Sequence, residues 1–232
     1  YFLGDSKRYS VLNCDVATDF GYDCTKAIKM TSAQLTAFAQ GGPLTQYVSG
    51  AANDTYLIDD GKKREILDSA SLAGTGITLP ALSKVTIGNF GNLAWGEPIV
   101  RDGAVFKNRT SGATGVYKSG LYFEVAAATA KDVDFRQWFS ESTGSLAAES
   151  IQAIAAPAGI SSILLSDNGD KFILTTTGKR AIATASDWTA STTTLPADLI
   201  EMIPTVGAEI ATPSIVKGLD ASTTYLIRKG LK

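Results

Sequence analysis

Polar and apolar positions fall into short bursts of strand-like alternation, each broken by a tight polar turn. The clearest burst is Tyr56-Leu57-Ile58-Asp59-Asp60-Gly61-Lys62-Lys63-Arg64-Glu65-Ile66. An apolar run, an Asp-Asp-Gly turn and a basic stretch closing on an apolar residue predict a β-hairpin. The pattern returns without a gap at Tyr1-Phe2-Leu3-Gly4-Asp5-Ser6-Lys7-Arg8-Tyr9-Ser10-Val11. It returns again at Phe172–Ile182, with Gly178-Lys179-Arg180 displaced by one place, and begins once more at Tyr225-Leu226-Ile227. A weaker copy, shorter in the turn, runs from Val116 to Val125.

The second half of each unit also recurs. Leu35-x-x-Phe38 leads to Gly41-Gly42-Pro43-Leu44, and Phe90-x-x-Leu93 leads to Gly96-Glu97-Pro98-Ile99. Ile151-x-x-Ile154 leads to Pro157-Ala158-Gly159-Ile160, and Leu199 with Ile203 leads to Gly207-Ala208-Glu209-Ile210. Apolar residues three or four apart before Gly or Pro predict one helical turn with a stop. Further strands are expected at Leu44–Val48, Ile99–Arg101, Ser162–Leu165 and Ser214–Val216, and before the helical turn at Lys84–Ile87 and Ala27–Met30. Internal periods of this length are the mark of repeat architectures. The chain divides into units 1–55, 56–115, 116–171 and 172–224, with a partial unit 225–232. The expected fold is all-β with short helical turns, a β-propeller-like repeat domain of about 55 residues per blade. A solenoid or sandwich is the competing use of such strands. The start at Tyr1 and the stop soon after Gly230 read as a fragment or processed part of a longer chain.

Composition narrows the chemistry. The 232 residues carry 21 Lys and Arg, 23 Asp and Glu, and no His. A formal charge of −2 argues against a generally basic nucleic-acid binder, so no nucleic acid is expected as partner. Apolar runs are too short to span a bilayer as a helix, and no membrane insertion is expected. Without His, Ser-His-Asp and Cys-His catalysis and His-ligated metal sites are excluded, leaving carboxylate, Lys or Tyr chemistry or none. Cys14 and Cys24 are too far apart for a Cys-x-x-Cys site and too few for structural zinc. A disulfide in an oxidising compartment is the better reading, with two buried free thiols as the alternative.

The string Thr55–Ile66 with its following Leu72 turn, and the stretch Cys14–Gly42 leading to Pro43-Leu44, resemble a repeat of secreted actinobacterial cell-wall proteins. In that family the repeat accompanies peptidoglycan hydrolase domains. The resemblance is best over residues 1–103 and poor over 116–170. It implies a non-catalytic, extracellular or cell-surface module that attaches to an envelope polymer: glycan, peptidoglycan or teichoic acid. A cell-wall polysaccharide or other surface glycan would be the partner, with a protein partner or attached domain as a further possibility. The alternatives are a structural or adhesive subunit that binds protein and, behind it, a propeller glycosidase. No cofactor or metal is expected.

Candidate binding residues are the recurrent cations Lys7, Arg8, Lys62, Lys63, Arg64, Lys179 and Arg180, which one blade edge could gather into a patch for an anionic polymer. The plainer reading is a solvated strand that discourages edge pairing. Trp188, among polar neighbours in Ala185–Thr189, is the best candidate for stacking on a sugar. Trp95 and Trp138 are expected to pack in the core. Asp59-Asp60 and Asp167-Asn168-Gly169-Asp170 are read as turns, the latter lacking the spacing and terminal Glu of a calcium loop.

Overall fold

In the computed structural model, residues 1–50, 54–85, 90, 92–156, 159–183, 192–211, 214–217 and 224–227 are described. The hairpins form where the pattern places them. Phe2–Gly4 pairs with Lys7–Val11, and Thr55–Asp59 with Lys62–Ile66. Thr114–Lys118 pairs with Leu121–Glu124, and Lys171–Thr175 with Gly178–Ala181. Three of these turn on two residues of positive φ: Asp5-Ser6, Asp60-Gly61 and Ser119-Gly120. That is the mirror-image turn whose twist matches paired strands.

A second feature recurs beside each hairpin. After a short helical turn the chain comes back parallel to the hairpin's second strand. The bridges are Val11↔Leu44, Ile66↔Ile99, Val125↔Ile160 and Ile182↔Ile210. The returning segment carries extra residues. Lys62↔Ala94 and Ile66↔Ile99 enclose one residue more on the return, as do Leu121↔Ala155 and Val125↔Ile160. Lys179↔Thr205 and Ile182↔Ile210 enclose two more. These are bulges, and the one beside Lys62–Ile66 holds Gly96-Glu97-Pro98-Ile99, where a residue without an N–H is tolerated.

The propeller expectation is wrong. The described strands form separate, open sheets: one of three strands, three of four, and a two-stranded pair, Ser214–Lys217 with Thr224–Ile227. Propeller blades belong to the antiparallel architectures. Here each hairpin is flanked by strands that return through a crossover, and these pair in parallel: Leu164↔Thr193, Val48↔Ser83 and the four returns above. In the four returns the helical turns lie on those crossovers, since parallel neighbours cannot be joined by a tight hairpin. The expected strand at Ala27–Met30 is also absent, for Ile28 lies 89% exposed in irregular chain.

The chain gathers into two compact units. The first comprises Tyr1–Asp102, Asn108–Ser111 and Ser142–Ile154, and the second comprises Gly103–Lys107, Gly112–Glu141 and Ala155–Lys232. The core of the first is built on Tyr9, Phe20, Leu44, Val48, Tyr56, Ile58 and Phe90, with a smaller cluster of Leu57, Ile66 and Ile99. The second buries Val105, Val116, Phe123, Phe135, Phe139, Ile160, Leu164 and Leu199. Short helices cap themselves locally. Asn13, Thr31 and Asp68 accept from backbone N–H groups of their first turns, and Thr31 with Gln34 completes a capping box. Cys14 and Cys24 are joined in a disulfide with Cα atoms 5.9 Å apart.

Candidate functional site

The recurrent cations divide by position within the hairpin. Aligned on their turns, Arg8, Lys63, Tyr122 and Lys179 hold one place, opposite Leu3, Ile58, Tyr117 and Leu174. This place faces inward. Lys63 is 8% exposed and its Nζ stands 4.4 Å from the ring centroid of Trp95. Lys179 is 6% exposed and donates from Nζ to the carbonyls of Ile200, at 2.7 Å, and Ile203, at the end of the helix Ala197–Glu201. An ammonium there meets the negative end of the helix dipole. Burial lowers the pKa of both lysines, offset in part by Glu149 near Lys63 and Glu201 near Lys179. Arg8 is half-buried with its guanidinium 5.8 Å from the Tyr1 ring.

The next place along the strand, Tyr9, Arg64 and Arg180, lies over the bulge. Arg64 Nε donates to Glu97 O at 2.9 Å, and Arg180 donates from Nε and Nη2 to Ala208 O at 3.1 and 2.8 Å. Glu97 and Ala208 both follow the glycine of the recurrent string. A Cβ on Gly96 would stand 2.9 Å from Arg64 Cγ, and one on Gly41 would stand 2.3 Å from the Tyr9 ring. The glycines are therefore required by the side chains laid across them. Of the cations considered, Lys7 and Lys62 are the exposed ones, and Trp188 lies outside the described residues. Trp95 and Trp138 are half-buried against Tyr56 and Phe135.

The structure brings together a cluster that the sequence did not single out. Glu65 is 1% exposed at the inner face of Lys62–Ile66. Its carboxylate accepts from the Arg109 guanidinium, from Ala147 N at 2.9 Å and from Ser150 Oγ at 2.5 Å. Arg109 also reaches Asp54 at 3.1 Å and donates to Ser145 O at 2.8 Å. Burial opposes the charge on Arg109, but Glu65 and Asp54 outweigh it and raise its pKa. Tyr56, beside them, is pushed up to about 12 by burial and then by the negative charge of Glu65 and Asp54. Asp68 caps the helix Ser69–Ala73 through Ser71 N at 2.7 Å and pairs with Arg101.

Asp54, Glu65, Asp68, Arg109 and Ser145 border a cleft of ≈ 330 Å³, also lined by Tyr47, Leu72 and Ser69. The acid groups in it are engaged by arginines and N–H donors, an arrangement that holds structure and presents polar atoms rather than a paired acid and base. No cluster of three metal-ligating residues occurs among the described residues. No sequence motif could have exposed the cluster, because Arg109 and Ser150 lie 44 and 85 residues from Glu65.

No family model and no curated protein matches the chain. Two solved structures are similar to it in part. One is the periplasmic assembly from the ESX-5 inner membrane complex, with 10% identity over 77% of this chain and 62% of that one, at a TM-score of 0.21. The other is an intact ESX-5 inner membrane complex, with 7% identity over 93% of this chain and 63% of that one, at a TM-score of 0.19. The chain thus spans less than two thirds of either.

Proposed function

We propose that the chain is a non-catalytic attachment module of an extracytoplasmic compartment that holds to a cell-envelope polymer. One observation carries this reading: the ionisable groups that recur or converge are engaged in holding the fold. Lys179, Arg64 and Arg180 bind backbone carbonyls, while Glu65 and Asp68 are held by arginines and backbone N–H groups. The Cys14–Cys24 disulfide fits an oxidising environment. With Lys63, Arg64, Lys179 and Arg180 turned to internal use, the cationic patch for an anionic polymer is reduced chiefly to Lys7 and Lys62, so attachment rests on neutral contacts.

A second reading, a structural or adhesive subunit that binds protein, is favoured by one feature. Leu12, Tyr22 and Ile28 are exposed apolar residues close in sequence to the disulfide. Sedimentation of the full chain with insoluble bacterial cell wall, at low and high salt, separates the two. Salt-resistant co-sedimentation is expected. Absence of binding at either salt, with concentration-dependent self-association, would move the function to the protein-binding subunit.

A further inference from the structure

The cleft of the first unit has the chemistry of a saccharide site. Its volume, ≈ 330 Å³, lies at the lower end of small-molecule clefts, about 300–1,000 Å³. Tyr47 forms one wall and packs against the Leu57, Ile66 and Ile99 cluster, which fixes the ring as an apolar surface. Polar atoms come from Asp54, Asp68, Ser69, Arg109 and Ser145. Each acid group has an arginine partner, but Arg109 is shared by Asp54 and Glu65 while Asp68 pairs with Arg101, so three carboxylates meet two arginines. Such a site repels a polyanion, and arginines already occupy part of each carboxylate that a simple cation would need. Each carboxylate nevertheless has about four lone-pair sites and can take hydroxyl protons beside its arginine bonds. Hydroxyl acceptors and donors around a fixed aromatic face match a pyranose ring, whose faces are apolar and whose rim is polar.

We infer that this cleft binds a short segment of neutral saccharide, Tyr47 lying against a sugar face while Asp54, Asp68, Ser69 and Ser145 meet its hydroxyls. The inference rests on the attachment reading and names the site and ligand class within it.

The test is a titration of the full chain, followed by backbone amide NMR, with three neutral probes: N,N′,N″-triacetylchitotriose, cellotriose and mannotriose. At least one should shift the amides of Tyr47, Asp54, Ser69 and Ser145, and salt should leave its affinity unchanged. Tyr47→Ala should weaken it by on the order of tenfold. Because Tyr47 also packs internally, Ser69→Trp provides the second variant. It changes an exposed residue and fills the mouth of the cleft, and should abolish the shifts while the rest of the spectrum stays native. Lys62→Ala should change nothing. Shifts absent with all three probes, or located elsewhere, overturn the inference, as does binding of lysine amide in their place. If Ser69→Trp still co-sediments fully with cell wall, the cleft fails while attachment stands. If a trisaccharide binds the cleft but the chain ignores cell wall, the cleft stands and envelope attachment fails.

Discussion

Glu65 and Ser150 meet at 2.5 Å across 85 residues of chain, in a position where the carboxylate is almost wholly out of water. The bond joins a hairpin strand to the helix Ala148–Gln152 within the first unit. Together with Arg109 and Ala147 N it satisfies a charge that would otherwise be costly to bury.

Breaking that set should be severe. Arg109→Ala would leave the Glu65 carboxylate buried without its counter-charge, and losses of about 3–5 kcal/mol are typical for such a change. Ser150→Ala removes one hydrogen bond to a charged group and should cost about 1.5–3 kcal/mol. Urea unfolding of the two variants checks both values and their order. Equal stability of Arg109→Ala and the parent would show that the cluster does not hold this unit.

The bulge glycines make a second, graded prediction. Gly41→Ala drives a Cβ into the buried Tyr9 ring, 2.3 Å away, whereas Gly96→Ala meets the flexible stem of Arg64 at 2.9 Å. Overpacking a rigid site costs about 1–3 kcal/mol. Gly41→Ala should therefore lower the urea midpoint clearly more than Gly96→Ala. Tyr9→Leu should recover part of the Gly41→Ala loss when the two are combined. Additive effects of the pair would deny their contact.

Hairpins and helical stops were legible because their signals are local: turn residues at Asp60-Gly61, and apolar spacing at Leu199 and Ile203. Pairing direction was not. Whether Leu44 returns parallel or antiparallel to Val11 depends on how the intervening helical turns carry the chain, which no single window encodes. That one property separates these open mixed sheets from propeller blades. The basic triplets misled for a related reason. Alternation along Lys62–Ile66 places Lys63 inward and Lys62 outward, yet a run of cations reads as uniformly solvated. The Glu65 cluster was invisible, since its partners are distant in sequence.

The disulfide gives a prediction of its own. Cys14 and Cys24 are 10 residues apart, and closing a loop of that size removes about 2–3 kcal/mol of unfolded-chain entropy. Thiol titration under denaturing conditions should find no free thiol before reduction and two after it. Cys14→Ser with Cys24→Ser should lower stability by about that amount while keeping the strand signal of the circular dichroism spectrum. Free thiols in the purified chain would remove the argument for an oxidising compartment.

Alkaline titration tests the packing around Tyr56. Its pKa is raised from 10.0 to about 12, first by burial and then by Glu65 and Asp54. The folded chain therefore keeps a phenolic proton that the unfolded chain releases at lower pH. The stability this provides is complete below pH 10 and is lost as pH rises from 10 towards 12, by about 3 kcal/mol. Burial also raises Tyr122, adding to the same loss. The lowered Lys63 and Lys179 work the other way, since the unfolded chain holds their protons longer and stability gains as pH climbs towards 10.5. The expected profile rises gently up to that region and then falls steeply. Tyr56→Phe should flatten the fall, and phenolate absorbance of the folded parent should show Tyr56 titrating late. A parent and a Tyr56→Phe variant with the same alkaline profile would mean that Tyr56 is in contact with water and free of the Glu65 charge.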